Sequence, residues 1–187
     1  QENILKPLGL YGGYDVDQLD KNRLATLYTY QRDSAKFTAS PEAYVSKSEE
    51  LKTYIPGYST PIFSPTGGMK ISAPDLAKCL LLHMNYGKVG TTRIISTSNA
   101  KAMQTPLSSD ENYGLALWKT DVLIPGVELV GHTGSAYGLY SAMFFHPEEK
   151  YGFVVISNGC DPTQEGIYIR VIRRAIQILH EEWVVKP

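Results

Sequence analysis

Between residues 127 and 158 the chain carries three strand-like stretches joined by short turns, and no other part of the sequence restricts the fold as strongly. Val127, Leu129 and Val130 lead into Gly131-His132-Thr133-Gly134-Ser135. The stretches 140–146 and 151–158 follow, joined at Pro147-Glu148-Glu149-Lys150. Stretches so closely linked predict an antiparallel sheet of about three strands. Phe153, Val154, Val155 and Ile156 form a continuous apolar run, which predicts a strand covered on both faces. Gly131 and Gly134 predict a small-residue corner with a bare edge, where a ligand's backbone-like group could bond. His132, Thr133 and Ser135 bring hydrogen-bonding side chains to the same place. Taken alone, those five residues read most simply as a tight strand end with a surface histidine.

The remainder reads as helices and long loops over 1–125, with strands and a C-terminal helix over 126–187, all within one partial domain. Ile4, Leu5 and Leu8, with Pro7 breaking the run and Gly9 following, predict the end of a helix. Gly12-Gly13, Pro41, Pro56-Gly57, Pro61 and Pro65 punctuate 11–66, predicting a turn-rich segment with one short helical piece near 40–51. So long an irregular stretch is usually functional or packed over another part of a protein. Ser72-Ala73-Pro74-Asp75 is a capping-box pattern with proline in the first turn. It opens the clearest helix, which carries Leu76, Cys79, Leu80 and His83 at helical spacing and stops at Gly87. Ser96 predicts the cap of a second helix running through Met103 and ended by Pro106. The stretch 113–120 predicts a further strand. A last helix over 164–183 places Ile172, Ala175, Ile176, Leu179 and Trp183 on its sheet-facing side.

The chain has 187 residues, 43% of them hydrophobic and 20% charged, which is ordinary globular composition. Its formal net charge of −1, with no basic stripe, argues against nucleic acid as a partner. No apolar run is long enough to span a bilayer and no signal peptide opens the chain. Gln1 follows no methionine, so the chain is expected to begin inside a longer protein or after processing. Cys79 and Cys160 leave disulfide and compartment undecided, and four scattered histidines give no metal-ligand spacing.

A serine hydrolase requires a nucleophile, a base and oxyanion donors. There is no G-x-S-x-G elbow. Ser98 and Lys101 form one Ser-x-x-Lys match, but near the start of a capped helix both residues are ordinary. Glu148-Glu149 and Glu181-Glu182 read as solvated turns and faces, and His83, His146 and His180 as packed or exposed.

The order of motifs nevertheless resembles a family. Ser64-Pro65-Thr66-Gly67-Gly68-Met69 runs into Ser72-Ala73-Pro74-Asp75-Leu76-Ala77-Lys78. Tyr113-Gly114-Leu115, Gly131-His132-Thr133-Gly134, the hairpin and Ser157-Asn158-Gly159 then follow. Together they resemble the C-terminal part of serine β-lactamases and penicillin-binding-like proteins, on the class C and D-aminopeptidase/esterase side. The resemblance implies an α+β fold, a C-terminal fragment of the β-lactamase/DD-peptidase-like fold with N-terminal strands and the nucleophile helix missing. Three family motifs surround one cleft: Ser-x-x-Lys, Tyr-x-Asn or similar, and Lys/His-Thr/Ser-Gly. Only the third is expected here, as His132-Thr133-Gly134, and Ser98 does not align with the first. His132 and Thr133 would then recognise a substrate carboxylate or polarise a proton relay, and the backbone near Ser135 and Ala136 would pair with substrate and give one oxyanion donor.

The implied parent is a serine hydrolase acting on a β-lactam, a peptidoglycan-like peptide or an ester through a Ser acyl-enzyme, with no cofactor and no metal. This chain would be inactive alone, and the alternative is a non-catalytic peptidoglycan- or peptide-binding module. The missing N-terminal half or a second copy is the expected partner. The family implies a periplasmic or extracellular location; the sequence itself is silent on it.

Overall fold

The computed structural model describes residues 1–59, 62–63, 67–108 and 111–186. Pro61, Ser64, Pro65 and Thr66 of the sequence reading lie outside the described residues. Residues 1–10 form a succession of turns and not the end of a helix. The Leu10 N–H reaches the Leu5 carbonyl at 2.8 Å, while Pro7, with no N–H to give, interrupts any regular ladder. The short strand β1 (Gly12–Gly13) follows. A hairpin of β2 (Tyr28–Gln31) and β3 (Lys36–Ala39) occupies part of the segment expected to be irregular, with the Tyr30 and Phe37 rings 5.2 Å apart across it. The short helical piece near 40–51 resolves into a 3-10 turn at Pro41–Tyr44 and helix α1 (Ser48–Lys52). Strand β4 (Lys70–Ile71) then pairs back onto β1.

Helix α2 (Ala73–Met84) starts where the capping box places it. The Ser72 hydroxyl accepts from the Asp75 N–H at 3.2 Å and also donates to the Asp75 carboxylate. Burial pushes that carboxyl up, but the Tyr11 N–H, the Lys78 ammonium and the Ser72 hydroxyl together outweigh it and hold the group below its ordinary value. The resulting stabilisation is present above the ordinary carboxylate range and is lost as pH falls through the depressed value. Gly87 closes α2 at φ +89°, with its N–H on the Leu82 carbonyl; a Cβ there would lie 2.1 Å from the Ile95 carbonyl oxygen. Strands β5 (Lys88–Val89) and β6 (Thr92–Arg93) form a small hairpin that leads to α3 (Thr97–Gln104). Ser96 caps α3 by accepting from the Asn99 N–H.

The central sheet has four antiparallel strands, not about three: β7 (Trp118–Thr120), β8 (Leu129–Ala136), β9 (Leu139–Phe145) and β10 (Gly152–Ser157), in the order β10-β9-β8-β7. The strand expected over 113–120 is only its last three residues, because Gly114 and Leu117 bond to each other and fold 113–117 into a turn. The small-residue corner expected at 131–134 is instead the middle of β8, which runs straight through it. Beyond the sheet, β11 (Gln164–Glu165) and β12 (Tyr168–Ile169) pair around Gly166, at φ +66°, so that helix α4 (Arg170–His180) begins later than expected. A π-helical turn, Glu181–Val185, ends it.

Two cores lie on opposite faces of the sheet. Leu80 and Met84 of α2 pack with Leu117, Val130 and Phe145 on one face, with Met103, Met143 and Val154 at the margin. Ile172 and Ile176 of α4 pack with Leu129, Ala142, Phe144, Phe153 and Tyr168 on the other, with Val155 and Leu179 against them. The apolar run of β10 therefore divides between both cores, as a non-alternating strand should. Trp183, expected on the sheet-facing side of the last helix, is 76% exposed; the π-helical turn rotates it out of the line of Ile172 and Ile176. Cys79 is half-buried and Cys160 buried, and both are free thiols.

Candidate functional site

The position of the site follows from strand register. β8 pairs with β9 along its whole length, from Val130 opposite Phe145 to Ala136 opposite Leu139. β7 pairs with β8 only from Thr120 opposite Leu129 to Trp118 opposite Gly131. From His132 to Ala136, β8 therefore has no strand on its second edge among the described residues. Paired residues of an antiparallel ladder share a face. His132 lies with Met143, and Gly134 with Ser141, on the α2 face; Thr133 and Ser135 lie on the α4 face. His132, Thr133, Ser135 and Ala136 are all exposed.

Why the edge is open is visible in the preceding loop. Tyr113 forms an isolated bridge to Trp118, its carbonyl accepts from the Leu107 N–H at 2.9 Å, and the Lys119 N–H reaches the Asn112 carbonyl at 2.9 Å. Gly114 is pressed on the end of α3, where a Cβ would sit 2.3 Å from the Met103 carbonyl oxygen. The chain entering β7 is thus turned back on itself at the point where it would otherwise pair with His132. The same turn sets the Tyr113 ring edge-to-face against the His132 imidazole, with centroids 5.7 Å apart at 83°. His132 Nδ1 donates to the carbonyl of Thr133, and Nε2 makes no hydrogen bond among the described residues.

Of the two glycines of the motif, Gly131 is required by close approach of backbone, whereas Gly134 meets only a side-chain hydroxyl. A Cβ at Gly131 would lie 1.9 Å from the Met143 carbonyl oxygen, and one at Gly134 would lie 2.6 Å from Ser141 Oγ. Tyr113 and Ser141 are the site residues to which the sequence reading gave no role. Tyr113 stood within a quoted motif, but nothing in its spacing reveals that it reaches His132.

The other candidates are elsewhere. Ser98 sits in the first turn of α3 with its hydroxyl 3.1 Å from that of Ser96. The Lys101 ammonium lies over the Tyr86 ring, 5.3 Å from its centroid, and makes no hydrogen bond to Ser98 among the described residues. His146 caps a turn by accepting from the N–H groups of Glu148 and Glu149. His180 packs against Tyr151 and Phe153. Burial lowers the His83 pKa, and its Nδ1 is enclosed without a partner. Among the described residues no three His, Cys, Asp or Glu side chains gather as a metal centre would require.

A family model described as Beta-lactamase matches residues 1–177. The chain belongs to the beta-lactamase family. The solved structures it resembles include a D-stereospecific amidohydrolase from Streptomyces sp., at 18% identity and a TM-score of 0.63 over 99% of this chain. A penicillin-binding protein from Bacillus halodurans matches at 20% identity and a TM-score of 0.62 over 95% of this chain. At these identities the likeness is one of fold: an α+β arrangement of antiparallel strands and packed helices, as the motif order implied. The chain spans 47% of the length of each of the two. No curated protein matches. No helix among the described residues is long and apolar enough to cross a membrane.

Proposed function

We propose that this chain supplies the sheet-edge wall of an acyl-transfer cleft in a serine hydrolase of the beta-lactamase family. The observation that carries the reading is the register of β8, whose edge from His132 to Ala136 has no strand beside it among the described residues. An extended substrate could add to that edge as a further strand, its main chain bonded to those backbone groups near Ser135 and Ala136 that turn away from β9. One N–H of this segment would serve as an oxyanion donor, and His132 and Thr133 would stand beside the scissile group. Exposure of all four residues supports access by a ligand. The substrate would be a β-lactam, a peptidoglycan-like peptide or an ester, outside the cytoplasm in a periplasmic or extracellular setting.

In this reading the nucleophile and its proton-relay partner come from the N-terminal half of an intact parent. Ser98 does not substitute for it, since Lys101 is engaged with Tyr86 and not with the serine hydroxyl. The isolated chain is therefore expected to show no turnover of a chromogenic cephalosporin or a p-nitrophenyl ester, with Ser98→Ala indistinguishable from the unmodified protein. Turnover that disappears in Ser98→Ala would overturn the reading by making Ser98 the nucleophile. An open edge without a nucleophile is also what a binding module needs, so saturable peptide binding without turnover by the intact parent would favour that second reading.

A further inference from the structure

We propose that Tyr113 is a positioning residue for His132, and that Tyr113 and the Thr133 carbonyl together make the imidazole present a lone pair, not an N–H, to the open edge of β8. The inference rests on that edge being the substrate site.

Two contacts define the ring's attitude. Nδ1 donates to the Thr133 carbonyl, and the Tyr113 ring meets the imidazole at 83° with centroids 5.7 Å apart. A surface histidine on a strand would otherwise exchange between rotamers and ring flips. Here one side of the ring is tied to the backbone and another is closed by an aromatic side chain. The Tyr113 backbone is itself held by its bridge to Trp118, by the Leu107 N–H on its carbonyl and by the wedging of Gly114 against the end of α3. The backbone that carries the phenol ring is thus held by the turn that leads into β7.

The chemical consequence concerns what the site can receive. A neutral imidazole carries one ring proton, and with that proton on Nδ1 the Nε2 atom only accepts. A carboxylate only accepts as well, so the neutral ring offers it no hydrogen bond at Nε2. An amide N–H, a hydroxyl or another side chain passing on a proton does find a partner there. Of the two roles that the family resemblance leaves to His132, the geometry points to the proton relay. For the neutral ring, the group placed opposite Nε2 is a hydrogen-bond donor, such as a peptide amide N–H or the hydroxyl of a relay side chain, and not a terminal carboxylate.

The test is the ring-nitrogen ¹⁵N spectrum of histidine-labelled protein, recorded where the imidazole is neutral, with His132→Gln assigning the signal. The expected result is a protonated Nδ1 and a bare Nε2 for His132, unchanged in Tyr113→Phe, which keeps the ring. In Tyr113→Leu the signal is expected to move toward the Nε2–H form that predominates in a free histidine side chain. If Tyr113→Leu does not fold, the proton–proton Overhauser contact between the two rings in the unmodified protein decides instead. An Nε2–H form in the unmodified protein, a Tyr113→Leu spectrum identical to it, or absence of the ring–ring contact would overturn the proposal. No readout involves a substrate, so failure of ligands to bind the edge would count against the proposed function and leave this result standing.

Discussion

Gly131→Ala is expected to cost about 3 kcal/mol or more, a large fraction of the stability of an ordinary domain. The added Cβ would lie 1.9 Å from the Met143 carbonyl oxygen and 2.7 Å from the Phe144 Cα. Both are backbone atoms of β9, so relief requires the two central strands to separate where Val130 and Phe145 join the core. Gly134→Ala is expected to behave differently. Its new Cβ meets only Ser141 Oγ, at 2.6 Å, and a side-chain hydroxyl can turn away. The expected cost is about 1 kcal/mol, falling toward zero in a Ser141→Ala background. Urea unfolding of the two single variants and the double variant measures all three terms. Equal losses at 131 and 134, unaffected by Ser141→Ala, would contradict the cross-strand packing described here.

Self-association of the isolated chain is the second large effect expected. Among the described residues β10 is an edge of the sheet, paired only with β9. Its sequence, from Gly152 to Ser157, has no charge and no proline, the devices that ordinarily blunt an edge. The hairpin of β2 and β3 reaches only just past its end, where the Tyr28 N–H meets the Asn158 carbonyl at 2.8 Å. Alongside, α4 leaves Val171 and Ile178 exposed at 45% and 60%. An unblunted edge beside apolar surface recruits further strands, here those of a second copy. Light scattering is expected to give a mass above that of one chain, and Ile156→Lys is expected to return it to the monomer. A stable monomer for the unmodified chain at the same concentration would contradict this expectation.

What could be read from the sequence was whatever depends on local chemistry. The capping residues Ser72 and Ser96 fixed where α2 and α3 begin, because a hydroxyl bonded to the N–H three residues on is a local matter. The four-residue apolar run of β10 revealed a strand covered on both sides. The ordered motifs indicated the family. Features that depend on register or on distant contacts stayed hidden. The mid-strand position of His132 is one: glycines suggest a corner, but here they serve close strand packing. The turn at 113–117 is another, since an apolar and aromatic stretch reads as a strand until the Gly114 contact with Met103 is known. The hairpin of β2 and β3 was masked by residues that are mostly exposed, which gives no alternation to detect. The open edge, which carries the functional proposal, is a difference in length between two ladders and has no signature in any single stretch of sequence.

That edge can be examined directly by amide hydrogen exchange across 129–136. Leu129, Val130 and Gly131 are flanked by strands on both sides, whereas from His132 to Ala136 β9 is the one neighbouring strand among the described residues. The expected result is slow exchange throughout 129–131 and an alternation over 132–136, with amides turned toward β9 protected and those turned toward the open edge exchanging freely. Uniformly slow exchange over 132–136 would contradict it, because the edge on which a substrate is proposed to pair would then already be covered by the chain itself.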